Sequence, residues 1–194
     1  SKELQKDDWS FRRSKWFEHV GNECLNVQDN AGLLDMTAFA KCRISGPGAE
    51  EFLDYLVANK IPKKIGRVNL CHALNTAGGV HSEFTIAKEK ENSFYLVSAG
   101  AFQRLDHDWI HKWMPKDGSV IYENLTNSMG VLVLAGPKSR DILSKVTKTD
   151  LSNENFPWLS SKKINVGLAP SIAMRMNFVG ELGWELHHPI EYQN

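Results

Sequence analysis

Residues 131–146, VLVLAGPKSRDILSKV, read as an apolar strand, Val131 to Ala135, that runs through Gly136-Pro137 into a helix bearing Ile142, Leu143 and Val146 on one side. Proline belongs in the first turn of such a helix, where its missing N–H has no partner to lose. About ninety positions earlier the same order appears. Gly32 to Ser45 alternates as strand, Gly46-Pro47-Gly48 follows, and Phe52, Leu53, Leu56 and Val57 then share a helical face. Two readings of this recurrence stand: an internal duplication, or one common turn chemistry used twice. Both interleave strands with helices.

Working outward, Val68 to Leu74 and Val80 to Ala87 are apolar-rich runs separated by Asn75-Thr76-Ala77-Gly78-Gly79, a composition that predicts a hairpin. Phe94 to Ser98 is the next strand. Phe102, Leu105, Trp109, Ile110 and Trp113 mark a helix that Pro115 ends, and strands follow at Ser119 to Glu123 and from Ile164 onwards. Ile172, Met174, Met176 and Phe178 alternate as an extended segment with one buried face. The fold class predicted is α+β, mixed or antiparallel sheets with helices on one face. Asn153 to Ser161 serves as a connector, with Phe156 and Trp158 as anchors. Asp8 to Glu23, with Trp9, Phe11, Trp16 and Phe17, has the look of an arm packed on a larger body, so residues 1–30 are read as an N-terminal packing arm.

The chain has 194 residues, 42% hydrophobic and 24% charged, with 23 basic and 23 acidic side chains. That balance supplies no field to attract nucleic acid or an anionic membrane. The longest apolar run is too short to cross a bilayer, so the expectation is a soluble protein of the cytoplasm, or of the mitochondrial matrix in a eukaryote. Cys24, Cys42 and Cys71 are odd in number and widely spaced, which argues for reduced thiols rather than a disulfide framework or a zinc ribbon.

Several chemistries lack their parts. No G-x-G-x-x-G follows a strand and no P-loop occurs. His107 and His111 lie four apart on the helical segment that Pro115 ends, without an HExxH glutamate, and no metal is expected. His187 and His188, just after the Glu-rich turn, either donate to a ligand as neutral imidazoles or face water, and the water-facing reading is preferred. The site is sought in Arg175 to Leu186, RMNFVGELGWEL, where Gly180 and Gly183 allow a turn flanked by Glu181 and Glu185. Glu185, between Trp184 and Leu186, either points to solvent or is buried with a hydrogen-bond donor. Glu83, just past the glycine hairpin in GGVHSEFTI, either presents a carboxylate to a cavity or pairs with a lysine in solvent.

Three of these stretches, AGGVHSEFTI at 77–86, AGPKSRDIL at 135–143 and FVGELGWEL at 178–186, resemble the folate-binding region of dimethylglycine and sarcosine dehydrogenases. More distantly they are similar to the aminomethyltransferase (T protein) of the glycine cleavage system. RRSKWFEHVGNE at 12–23 looks like the segment that enters that region, so the resemblance covers nearly the whole chain in order. It implies the aminomethyltransferase folate-binding fold and a tetrahydrofolate site that accepts a one-carbon unit from a small amine-derived donor. It also implies that 1–194 is a partial region lacking the C-terminal barrel, working with a flavin dehydrogenase domain or chain and not itself binding FAD.

By that resemblance Glu185 matches the residue that holds the pterin, and Phe178, Glu181 and Trp184 of the same run are carried over as cofactor contacts. Glu83 falls where the T protein has a catalytic aspartate that steadies cationic intermediates. The added methylene of glutamate shifts the carboxylate by roughly an ångström. Phe178 and Val179 replace a tyrosine and a threonine, removing a hydroxyl, and Ala99 stands where T proteins have asparagine after the Val97-Ser98 pair. The implied function is one-carbon transfer to tetrahydrofolate; the alternative is a non-catalytic folate-binding or assembly module of a larger oxidoreductase.

Overall fold

The computed structural model describes residue 6, residues 9–176 and residues 178–193. In chain order the elements are α1 (Phe17–Asp29), β1 (Gly32–Asp35), β2 (Ala40–Ser45), α2 (Ala49–Leu56), β3 (Val68–Leu74), β4 (Val80–Lys90), β5 (Ser93–Ser98) and α3 (Gln103–Trp113). They continue with β6 (Ile121–Asn124), β7 (Met129–Ala135), α4 (Ser139–Leu143), β8 (Ser161–Val166), β9 (Ala169–Met174) and β10 (Gly183–Pro189). These strands make two five-stranded sheets, ordered β1-β7-β10-β9-β8 and β6-β2-β5-β4-β3. Every neighbouring pair within them is antiparallel.

The two sheets have the same plan. In each, a strand ends in a Gly-Pro turn and a helix, and three further strands meander back until the last pairs with the first. The fifth strand is exchanged: β1 precedes β2 in the chain yet pairs with β7, and β6 precedes β7 yet pairs with β2. The turns match atom for atom. Gly46 and Gly136 have φ of +111° and +121°, conformations that a side chain disfavours. Gly48 N–H donates to Ser119 O at 3.0 Å, just ahead of β6, and Lys138 N–H donates to Asn30 O at 2.9 Å, just ahead of β1. The recurrence in the sequence is therefore a repeated architectural unit, the turn chemistry included.

Side-chain alternation sorts the strands into faces. Ile44, Phe84, Ile86, Phe94 and Leu96 pack beneath α2 and α3, with Phe52, Leu53 and Ile110 coming from those helices. Leu134, Trp184 and Leu186 pack beneath α4 with Leu143 and Phe156. A third cluster, Val68, Ala87, Tyr95, Val97, Leu125 and Met174, joins the inward faces of both sheets. Each sheet thus carries helices on its outer face, as predicted, and the sheets meet at their inner faces.

Some local expectations are corrected. β9 ends at Met174 rather than alternating on to Phe178, which lies in a turn. Phe156 is fully buried, whereas the Trp158 side chain is exposed. Cys42 and Cys71 are buried and unpaired, and Cys24 is exposed. In the N-terminal segment, Trp9 and Phe11 are exposed and α1 buries no residue. The end of α1 meets the body at the second Gly-Pro turn, where Lys138 N–H donates to Asn30 O at 2.9 Å and Val27 O closes on Gly136.

Candidate functional site

The hairpin of β3 and β4 closes as its composition predicts. Asn75 Oδ1 accepts from the N–H groups of Ala77 and Gly79, each at 3.0 Å, and Gly78 adopts φ of +81°. From this tip β4 runs inward, with Phe84 and Ile86 on the outer face. Glu83 therefore shares the inner face with Thr85 and Ala87. Its side chain is 55% exposed, and Oε2 lies 2.9 Å from Nε2 of His72, its cross-strand neighbour on β3. The partner is a histidine, not the lysine foreseen for a solvent-facing residue.

Glu185 occupies the inner face of β10, registered between Val133 of β7 and Met174 of β9. Trp184 and Leu186 take the outer face, and Glu185 is only 6% exposed. That excludes the solvent alternative for this residue. A buried carboxylate needs donors, and His187, two residues on, supplies one: Nε2 stands 3.3 Å from Glu185 Oε2. Across the gap between the sheets, Tyr95 Oη of β5 stands 3.1 Å from His187 Nδ1, its ring edge-on to the imidazole. Burial, aided by the nearby charge of Glu89, pushes the Tyr95 phenol well above its ordinary value.

His187 and His188 are both buried, which corrects their reading as water-facing. Period-two alternation from Glu185 was the available signal for His187; nothing in the local pattern pointed to Tyr95. Beyond His187 the inner faces open into a cavity of about 490 Å³. Arg43, Glu89, Lys163, Ser171 and Ile172 are among its walls. Arg43 there is already engaged, its Nε 2.7 Å from Glu89 Oε2 and its Nη1 2.6 Å from Glu123 Oε2.

The remaining predicted contacts divide by exposure. Phe178, 96% exposed, and Glu181 lie in the turn that leads into β10, with Gly180 at φ of +82°. Trp184 has no accessible surface. It meets Phe156 edge-on at 6.1 Å, and the guanidinium groups of Arg140 and Arg175 each stand 5.9 Å from its ring. It buttresses the strand that carries Glu185 and offers a ligand no surface of its own, a correction to its reading as a contact. Among the described residues no group of three or more metal-ligating side chains occurs. His107 and His111 stack on one another at 3.9 Å.

Comparison with known proteins places this geometry. The family model described as the GCVT N-terminal domain matches residues 5–194. Mouse mitochondrial dimethylglycine dehydrogenase is 39% identical over 180 residues, covering 92% of this chain and 21% of that protein. The mitochondrial pyruvate dehydrogenase phosphatase regulatory subunit of mouse is 32% identical over 186 residues, covering 94% of this chain and again 21% of the relative. The chain therefore spans about one fifth of the length of these relatives. Among solved structures, the glycine cleavage system aminomethyltransferase T from Bartonella henselae superimposes with a TM-score of 0.76 at 23% identity, over 88% of this chain and 45% of that one. At that identity the likeness bears on the fold.

Proposed function

The chain belongs to the GCVT N-terminal domain family, and from that premise we propose that it is a tetrahydrofolate-binding module for one-carbon transfer. One observation carries the reading. Glu185, in the GELGWEL run, is a buried carboxylate with a single hydrogen bond among the described residues, from His187. A carboxylate offers about four acceptor sites, so most of its capacity is unspent on the inner face. The edge of a pterin presents a ring N–H and an exocyclic amine side by side, a pair that such a carboxylate accepts together. Phe178 and Glu181, at the turn entering β10, are assigned to the rim of the same site.

Glu83 is assigned the catalytic role. It stands on the inner face of the other sheet, half-exposed and steadied by His72, where its charge stabilises a cationic one-carbon intermediate as it forms. The donor is a small amine-derived iminium, delivered by a flavin dehydrogenase domain or chain. The compartment assigned is the mitochondrial matrix in a eukaryote, matching relatives described as mitochondrial, and the cytoplasm otherwise.

Calorimetric titration with tetrahydrofolate under anaerobic, reducing conditions tests the site. Glu185→Ala is expected to weaken binding by about ten- to hundred-fold, the worth of one charge-assisted hydrogen bond. Unchanged affinity rejects the assignment. Glu83→Gln is expected to leave binding intact and abolish methylene transfer. A second reading, an assembly module without turnover, is favoured by the relative described as a regulatory subunit. It requires that Glu83→Gln alter no measurable transfer.

A further inference from the structure

We propose that Tyr95 and His187 are positioning residues for the ligand-binding carboxylate, with Tyr95 of one sheet selecting the imidazole tautomer that lets His187 hold Glu185 of the other. The proposal rests on the assignment of Glu185 to the pterin. Tyr95 and His187 are completely buried, so water offers the imidazole no alternative partners. With Glu185 as the carboxylate and the imidazole neutral, the hydrogen-bonding inventory leaves one arrangement. An ionised carboxylate only accepts, so His187 Nε2, 3.3 Å from Glu185 Oε2, carries a hydrogen. A neutral imidazole with Nε2–H has a lone pair on Nδ1, and the group 3.1 Å from Nδ1 is the Tyr95 hydroxyl, which donates to it.

The phenol is suited to this task because burial holds its proton in place. Other charged groups near the imidazole line the cavity beyond it: Arg43 of β2, Glu89 of β4 and Lys163 of β8. Arg43 and Glu89 are bonded to each other, which leaves Tyr95 and Glu185 as the direct partners of the ring. Without the hydroxyl, the Nδ1–H tautomer becomes accessible, and it turns a lone pair toward the carboxylate. Glu185 then loses its donor and its fixed direction. A residue on the central strand of one repeat thus aims the carboxylate of the other.

Histidine ring-¹⁵N labelling of the full-length protein reads the tautomer, and tetrahydrofolate titration reads the consequence. The expected result is Nε2–H for His187 in the wild type, a shift toward Nδ1–H in Tyr95→Phe, and binding weakened about five-fold in that variant, the effect of one lost hydrogen bond. His187→Ala is expected to weaken binding at least as much. His187→Gln, which keeps an N–H donor, restores most of it; a purely structural contribution predicts no such rescue. An Nδ1–H or doubly protonated ring in the wild type overturns the proposal. So does wild-type affinity in His187→Ala when Glu185→Ala has lost binding. Wild-type affinity in Glu185→Ala instead rejects the folate assignment, and the tautomer measurement still decides the relay.

Discussion

Neighbouring positions on β10 are put to opposite uses. Trp184 faces outward into the core beneath α4, and truncating it to alanine is expected to cost about 3–5 kcal/mol of stability, as for other large buried aromatics. Urea denaturation measures this. Glu185 faces inward, and its loss is expected to register in ligand affinity instead. The thiols give a second test at this scale. Burial, and then the charge of Asp106, push the Cys42 thiol from its ordinary 9.0 up to about 12, and burial pushes Cys71 up to about 11. In the unfolded chain these thiols ionise first. Their contribution to stability is therefore intact below pH 9 and falls as the pH rises from there toward the folded values. Between pH 8 and 10 the Cys42 contribution amounts to about 1 kcal/mol. Denaturation midpoints at the two pH values are expected to converge in Cys42→Ala relative to the wild type.

At the scale of elements, the Gly-Pro turns are what the two halves share. A Cβ on Gly136 would sit 2.6 Å from the carbonyl oxygens of Asn30 and Val27, and one on Gly46 would strike Ser119 O. Alanine at either position is expected to cost about 2 kcal/mol or more, combining strained backbone with a backbone clash. Gly78 also has φ of +81° but opens onto free space, so Gly78→Ala is expected to cost only about 1 kcal/mol. Equal losses at all three sites, measured by thermal unfolding, would show that the contacts made by the two turns are unimportant. These units were legible in the sequence because strand alternation, Gly-Pro and helical spacing are local signals. The ends of segments were less so: tertiary contacts, not periodicity, decide that β9 stops at Met174 and that Phe178 lies in a turn. His187 was misplaced because a histidine pair near a charged turn resembles surface, although its spacing from Glu185 on a strand dictated the same face. Tyr95 became part of the site only through the packing of one sheet on the other.

For the whole molecule, the exchange of β1 and β6 has the largest consequence, and no local pattern encodes it, since these strands pair across about eighty to a hundred residues. Neither sheet is complete without a strand from the other half of the chain. Removing one half would strip an edge from the other and expose the inner face that Tyr95, Val97, Ala87 and Met174 close together. The two sheets are therefore expected to unfold as one cooperative unit, despite having separate outer cores. Tryptophan provides a probe on each side: Trp184 lies in the core of the first sheet, and Trp109 and Trp113 pack against that of the second. Denaturation followed by far-UV circular dichroism and by the fluorescence of variants keeping only one of these sets should give coincident transitions. A destabilising change in one sheet, Gly136→Ala, should shift both reporters equally. If the second-sheet reporter instead kept its wild-type midpoint, the halves would be independent domains, and a relay running from Tyr95 to Glu185 would lose the rigid sheet-to-sheet packing it requires.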